Sequence, residues 1–269
     1  MMQAIPATTL DRHHDTARLF LAHHQLPEGP AGGDLLRRIL AAFARIPYEN
    51  ISKLIKLNET RGEWDRLRWP AEVWADYQER RLGGTCYSLT FFLWAILDCC
   101  GYAAAPLVMD MKWAPAAHCG LRAELADGPC LLDPGYLLGD PLHLRGDSTV
   151  RYDNFTGVEL RHDAAGDVYE LHTFTRRERQ FRYRFAPAPL GLAEFLVYWK
   201  DSFYQKSMRH ICLTRLDPAT RGRIYVRNEF IRHYTPAGKE NMKLTLEEAA
   251  ARYFDIPPEL VRRARRYLP

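Results

Sequence analysis

The sequence predicts an α+β fold, helical over its first hundred residues and antiparallel β beyond them. Two observations carry this. Before Gly101 the apolar residues recur at helical spacing, and after it they fall into short β-prone runs. Turn residues such as Asp127-Gly128 and Ala165-Gly166-Asp167 punctuate those runs. With 269 residues, 47% hydrophobic and 26% charged, and with no internal repeat or low-complexity tract, the composition is that of a folded globular chain. That length suits one large domain or two or three subdomains sharing a core.

Leu10 to His24 carries Ala17, Leu19, Phe20, Leu21 and Ala22, which predicts a helix. Gly33 to Ala44 repeats the pattern with Leu35, Leu36, Ile39, Leu40 and Phe43, after the start signal Gly32-Gly33-Asp34. Ile46-Pro47-Tyr48-Glu49-Asn50-Ile51 interrupts it, because proline lacks a donor and disfavours helix in the preceding residue. Thr85 to Cys100 is apolar almost all round and predicts a central buried helix stopped by Gly101. Thr85 as N-cap puts Cys86 in the first turn, where unpaired N–H groups and the helix dipole favour a thiolate.

Beyond Gly101, strands are predicted at Pro106 to Met111, Cys119 to Leu125, Cys130 to Leu132, Val168 to Phe174 and Gln180 to Phe185, forming an antiparallel sheet or small barrel. Leu190 to Ser207 reads as helix or loop around Phe195, Tyr198, Trp199, Phe203 and Tyr204. Strands are then expected at Ile211 to Arg215 and Arg223 to Ile231. Thr245 with Glu247 and Glu248 opens one last helix, and Pro257-Pro258-Glu259 begins another.

A net charge of +4, from 37 basic and 33 acidic residues, is too small for a nucleic-acid footprint. Arg176-Arg177-Glu178-Arg179 and Arg262-Arg263-Ala264-Arg265-Arg266 are solvated faces, or attractors for an anionic, phosphorylated carrier. Met1 to Ala7 shows no secretory leader, and no stretch reaches the roughly 18 apolar residues of a span, so no membrane partner is expected. Cysteines at 86, 99, 100, 119, 130 and 212 lack metal-site spacing and disulfide-scaffold density. Free thiols, no bound metal and a cytoplasmic location follow as expectations.

Three residues carry candidate chemistry. Gly83-Gly84 before Cys86 suits a tight turn at a helix start that activates a sulfur, although a lone buried cysteine is as readily a packing residue. His118 precedes a strand-like run and by itself is an ordinary loop histidine. Asp133 ends an apolar run, where a carboxylate is costly without a partner, or else forms a turn before Pro134. Together they supply a thiol, a base for its proton and a carboxylate to orient that base. With Asp127-Gly128 as a two-residue hairpin, Asp133 faces Arg122, and His118 lies roughly 13 Å along the strand. Contact then requires a bulge, a longer loop or a bend near Pro134.

Ile46-Pro47-Tyr48-Glu49-Asn50-Ile51, Gly83-Gly84-Thr85-Cys86-Tyr87, His118, and Leu132-Asp133-Pro134-Gly135-Tyr136 resemble the successive signatures of the arylamine N-acetyltransferases, in the right order and at similar spacing. The resemblance implies a helical N-terminal bundle (1–100), a central antiparallel β-barrel (101–205) and a C-terminal α/β lid (206–269), around a papain-like triad. It further implies that Cys86 takes an acyl group from acetyl-CoA or another acyl thioester, such as an acyl carrier, used as co-substrate with no permanently bound cofactor. His118 then acts as base, Asp133 orients it, and a small-molecule amine is the acceptor in a ping-pong cycle. Tyr136, Tyr48 and Phe203 are the implied substrate-binding residues. The chain departs from the family at Leu82, Ser88 and Thr90, where relatives carry Arg, Glu and Asn. It also has a shorter Cys-to-His interval and lacks an evident Gly-containing segment for the CoA phosphates. Arg80 or Arg81 is expected to pair with Glu49 in place of the missing arginine. The alternatives are a transglutaminase-like or papain-like hydrolase or amidase, and a silent binding member of the fold.

Overall fold

The computed structural model describes residues 5–29, 31–146, 148–153, 156–175, 178–217, 219–220 and 222–269. The helical opening comprises α1 (His14–His23), α2 (Gly33–Phe43), the short strand β1 (Tyr48–Glu49), α3 (Ile51–Glu59), α4 (Pro70–Arg80) and α5 (Cys86–Cys99). Helices α3 and α4 add to those predicted. Pro70 stands in the first turn of α4, where its missing N–H costs nothing, and Arg81 ends that helix in the left-handed region at φ 56°. Helix α5 is buried continuously from Cys86 to Leu97, which its uniform apolarity requires. Around it Phe20 meets Phe43, Trp74 and Phe92 at ring-centroid distances of 5.6 to 5.8 Å. Such aromatic pairs add about 0.5–1.5 kcal/mol each to the burial term.

An eight-stranded antiparallel sheet follows: β2 (Ala104–Met111), β3 (Ala114–Leu125), β4 (Gly128–Leu132), β5 (Leu142–His143), β6 (Thr149–Asp153), β7 (Thr156–Asp163), β8 (Val168–Phe174) and β9 (Arg179–Phe185). Its spatial order is β5-β4-β3-β2-β9-β8-β7-β6. The two edge strands approach each other, and the Thr149 hydroxyl donates to the His143 carbonyl at 2.8 Å. The sheet is thus a nearly closed barrel, an arrangement that leaves little exposed edge. Leu107, Met109, Leu131, Leu160, Leu171 and Tyr183 fill one face of it, while Cys119, Leu121, Ala123 and Cys130 turn toward α5.

The chain then forms α6 (Leu192–Asp201), two 3-10 turns, and strands β10 (Cys212–Asp217), β11 (Gly222–Arg227), β12 (Phe230–Thr235) and β13 (Gly238–Asn241). The run Arg223 to Ile231, predicted as one strand, is a hairpin. It turns at Asn228, which adopts φ 49° without a glycine to advertise the reversal. These strands order as β1-β10-β11-β12-β13, so a piece of the helical opening forms the edge of the C-terminal sheet. Helices α7 (Leu246–Phe254) and α8 (Pro258–Arg265) close the chain. Thr245 and Glu248 complete a full capping box at the start of α7, and Pro258 stands in the first turn of α8. Their Leu246, Phe254 and Val261 share a core with Ile51 and Leu54 of α3 and with Leu213, Ile224 and Val226 of the sheet.

Within the C-terminal arginine cluster, Arg263 pairs with Glu59, and Arg265 pairs with Glu229 at 2.7 Å and Glu247 at 3.1 Å. Arg176 and Arg177 lie outside the described residues; Arg179 pairs with Glu159 at 2.7 Å. All six cysteines are free. Among the described residues no group of side chains is suited to hold a metal ion, and no helix is long and apolar enough to cross a membrane.

Candidate active site

Strand β3 and the segment after β4 bring His118 and Asp133 together by a register different from the one expected. Leu125 pairs with Gly128 and Leu121 with Leu132, so the turn is Ala126-Asp127 and Asp133 stands opposite Gly120 rather than Arg122. Gly128, at φ 112°, allows the strand to start immediately after the turn. Asp133 leaves the ladder there and bends back toward His118. The His118 Nε2 lies 3.0 and 2.9 Å from the two Asp133 carboxylate oxygens.

Asp133 is fully buried and accepts two further hydrogen bonds, from the Tyr183 hydroxyl at 2.6 Å and the Tyr136 backbone N–H at 3.0 Å. With Nε2 committed to Asp133, Nδ1 is the His118 nitrogen left to face the Cys86 sulfur. Gly135 makes the close approach possible. A Cβ on it would come within 2.7 Å of His118 Cε1 and 2.9 Å of Cys86 Cβ. Any side chain at that position would wedge the two apart.

Cys86 is the first residue of α5 and is 5% exposed. Its thiol is held well below the ordinary range, first by a hydrogen bond from the neighbouring Cys119 thiol. Burial opposes this, and the His118 hydrogen bond and charge, with the Lys53 charge, reinforce it. Cys119 itself is pushed up by burial and by Cys86, and its thiol donates to Thr90 Oγ1 at 3.5 Å. Burial would lower His118, but Asp133 and Cys86 outweigh it and hold the ring at about 10. Both shifts favour a thiolate beside an imidazolium.

The Gly83-Gly84 loop before Cys86 is fixed by an arginine that the sequence did not single out. Neither Arg80 nor Arg81 reaches Glu49: Arg80 pairs with Asp76 at 3.1 Å, and Arg81, in its left-handed cap, lies over the Tyr77 ring. Arg68 does reach it. Its Nη1 lies 3.5 Å from Glu49 Oε1 and donates to Ser52 Oγ at 2.7 Å and to the Gly83 carbonyl, while Nη2 bonds Asp76 at 2.6 Å. A guanidinium arriving from the loop before α4 thus fills the space that Leu82 cannot. A Cβ at Gly83 would collide with the Pro47 carbonyl, so this crossing of β1 and the loop also needs glycine.

Tyr136 stacks edge-on to His118 at 5.1 Å. Tyr48, on β1, forms a parallel bridge with Gly84 and is raised by burial and then by the Cys86 charge. Phe203 is buried to 2% exposure against the Lys53 ammonium, 4.6 Å from its ring centroid, and borders a small void with Thr85 and Ser88. Ser88 bonds back to the Thr85 carbonyl at 3.1 Å, and Thr90 contacts Cys119, so neither points a carboxylate or amide at the sulfur. Tyr183, Cys119, Lys53 and Arg68 are the site residues that sequence reasoning missed. Each arrives from a separate element and carries no local signature.

No family model matches the sequence, and no curated protein matches it. Solved structures do match. The Mycobacterium abscessus arylamine N-acetyltransferase aligns at a TM-score of 0.80 and 17% identity, covering 98% of this chain and 99% of that one. The Mycobacterium marinum arylamine N-acetyltransferase aligns at 0.74 and 20% identity, over 93% and 97%. The Mycobacterium marinum enzyme in complex with CoA aligns at 0.73 and 21% identity, over 93% and 98%.

Proposed function

We propose that this chain, which has the arylamine N-acetyltransferase fold over nearly its whole length, is an N-acyltransferase, with Cys86 as nucleophile, His118 as acid and base, and Asp133 as the carboxylate that orients His118. The carrying observation is the convergence of the three side chains on one buried point, in surroundings that favour thiolate and imidazolium.

In this reading the Cys86 thiolate attacks the carbonyl of an acyl thioester. The tetrahedral oxyanion forms beside the first amides of α5, which have no intrahelical partner. Collapse expels the donor thiolate, and His118 supplies its proton. The acyl group now rests on Cys86 as a new thioester and His118 is neutral. An amine attacks, His118 removes its proton, and the sulfur leaves as thiolate, which restores the starting pair. The donor is acetyl-CoA or a related acyl thioester, a choice supported by the CoA complex of a protein with the same fold. Tyr48, Tyr136 and Phe203 border the acceptor side. Residues 1–100 supply the sulfur, 101–205 the His and Asp, and 206–269 the cover. A thiolate nucleophile with five other free thiols fits a reducing, cytoplasmic compartment.

Incubation with a panel of acyl-CoAs followed by intact-mass measurement tests the proposal. The wild type should gain the mass of one acyl group and lose it on addition of an arylamine faster than in water, and Cys86→Ala should gain nothing. A wild type that stays unmodified by every donor, or an adduct that survives in Cys86→Ala, would rule it out.

A further inference from the structure

Lys53, on α3, is 5% exposed and has only neutral partners. Its Nζ donates to the Ser202 carbonyl at 3.0 Å and to the Ser202 hydroxyl at 2.6 Å, and it stands 4.6 Å from the centre of the Phe203 ring. Among the described residues no carboxylate comes within the 4.0 Å of an ion pair with it. An ammonium buried in this way is costly, and folds keep such groups where a nearby negative charge is served.

The arginine on the other wall of the same small void is already committed. Arg68, Lys56 and Arg80 face Glu49, Glu72 and Asp76, so that network closes on itself. The triad does not close. A Cys86 thiolate, a His118 imidazolium and an Asp133 carboxylate leave one negative charge in excess within buried protein. The void that Lys53 borders is also bordered by Thr85 and Ser88, which flank Cys86 on the first turn of α5.

We propose that Lys53 is the buried counter-charge of the Cys86, His118 and Asp133 site, a positioning residue whose ammonium holds the sulfur in its thiolate form. The titratable groups that act on the sulfur electrostatically are Cys119 and His118 from β3, Tyr48 from β1 and Lys53 from α3. Around Lys53 they are Cys86 and Cys119, with Arg68 and its partner Glu49 across the void. Cys119 is neutral and donates to Thr90, and the His118 charge is already matched by Asp133, so among these groups Lys53 is the cation without a carboxylate partner. Burial lowers it to about 8, with Cys86 and Cys119 pulling upward, so it is mainly charged at neutral pH.

The inference rests on Cys86 being the nucleophile, and the test separates the two. Alkylation of Cys86 by iodoacetamide, a neutral electrophile, is followed across pH in the wild type, Lys53→Met, Lys53→Gln and Lys53→Arg, with circular dichroism to confirm folding. The midpoint should rise by about one pH unit or more in the two neutral variants and stay near the wild type in Lys53→Arg. A structural role alone would alter melting temperature and leave the midpoint in place. A depressed wild-type midpoint that is unchanged in whichever neutral variant folds overturns the role of Lys53 and leaves acyl transfer standing. A wild-type Cys86 that titrates like an ordinary thiol overturns both.

Discussion

At the scale of single residues, the site depends on how one buried carboxylate is satisfied. Asp133 takes its bonds from His118, from the Tyr136 N–H and from the Tyr183 hydroxyl, and it has no solvent to fall back on. Hydrogen bonds to a charged group contribute about 1.5–3 kcal/mol, so loss of the Tyr183 hydroxyl should leave the Asp133 carboxylate less firmly positioned against His118. Tyr183→Phe is therefore expected to lower acyl transfer by about tenfold or more while retaining the fold, measured as kcat/KM with a fixed donor and amine. The pH profile has a defined sign. Cys86 is depressed and His118 raised to about 10, so the thiolate–imidazolium pair spans the neutral range. Activity should fall with acid as the sulfur protonates and with base near 10 as the imidazolium is lost. Cys86, His118 and Asp133 were legible as candidates because their residue types and order suggest a thiol, a base and an orienting carboxylate. Tyr183 was not, since a tyrosine in an alternating strand looks like any other inward aromatic.

At the scale of elements, the substitution of one cation for another shows where local motif and tertiary structure part. Leu82 stands where the resemblance calls for arginine, and the sequence offered Arg80 and Arg81 as neighbours able to compensate. Helix α4 runs on to Arg80 and caps at Arg81, which points both away from Glu49. The replacement comes from Arg68, some fourteen positions earlier, and only the packing of α4 against the Gly83-Gly84 loop reveals it. Glu49 is wholly buried and Arg68 nearly so, and burial already pushes the Glu49 carboxyl up against the pull of Arg68 and Ser52. Arg68→Met should thus cost about 3–5 kcal/mol, because it strands a buried carboxylate, and the double variant with Glu49→Gln should recover much of that. Denaturant unfolding of the four proteins in a double-mutant cycle measures the coupling. Helices with a clear apolar period and strands with apolar alternation were legible. Strands β5 to β7 were not, being very short or rich in His, Arg and Thr, and the β11–β12 hairpin was hidden because Asn228 turns it without glycine or proline.

At the scale of the whole molecule, the helical opening and the C-terminal sheet are joined through one asparagine beside the site. Asn50 is 2% exposed and donates through Nδ2 to the carbonyls of His210 at 2.8 Å and Ser207 at 3.3 Å. Its Oδ1 accepts from the Cys212 N–H at 2.8 Å, and its own N–H bonds the Cys212 carbonyl at 3.2 Å. These bonds dock β10 on β1, and β1 in turn bonds Gly84 two residues before Cys86, through the Glu49 N–H. The position of the sulfur is thereby coupled to a segment more than 150 residues away. Asn50→Ala leaves two carbonyls and one N–H short of partners and should cost about 2–3 kcal/mol. That corresponds to a fall of roughly 5–10 °C in melting temperature for a chain of this size. Asn50→Asp should fall further, since it keeps the acceptor for Cys212, loses both donations and buries a charge against two carbonyls. If the coupling runs through β1 as the bonding indicates, both variants should also slow Cys86 alkylation at temperatures where the protein is still folded. A loss of stability with unaltered sulfur reactivity would mean that Asn50 holds the two parts together without helping to position the site.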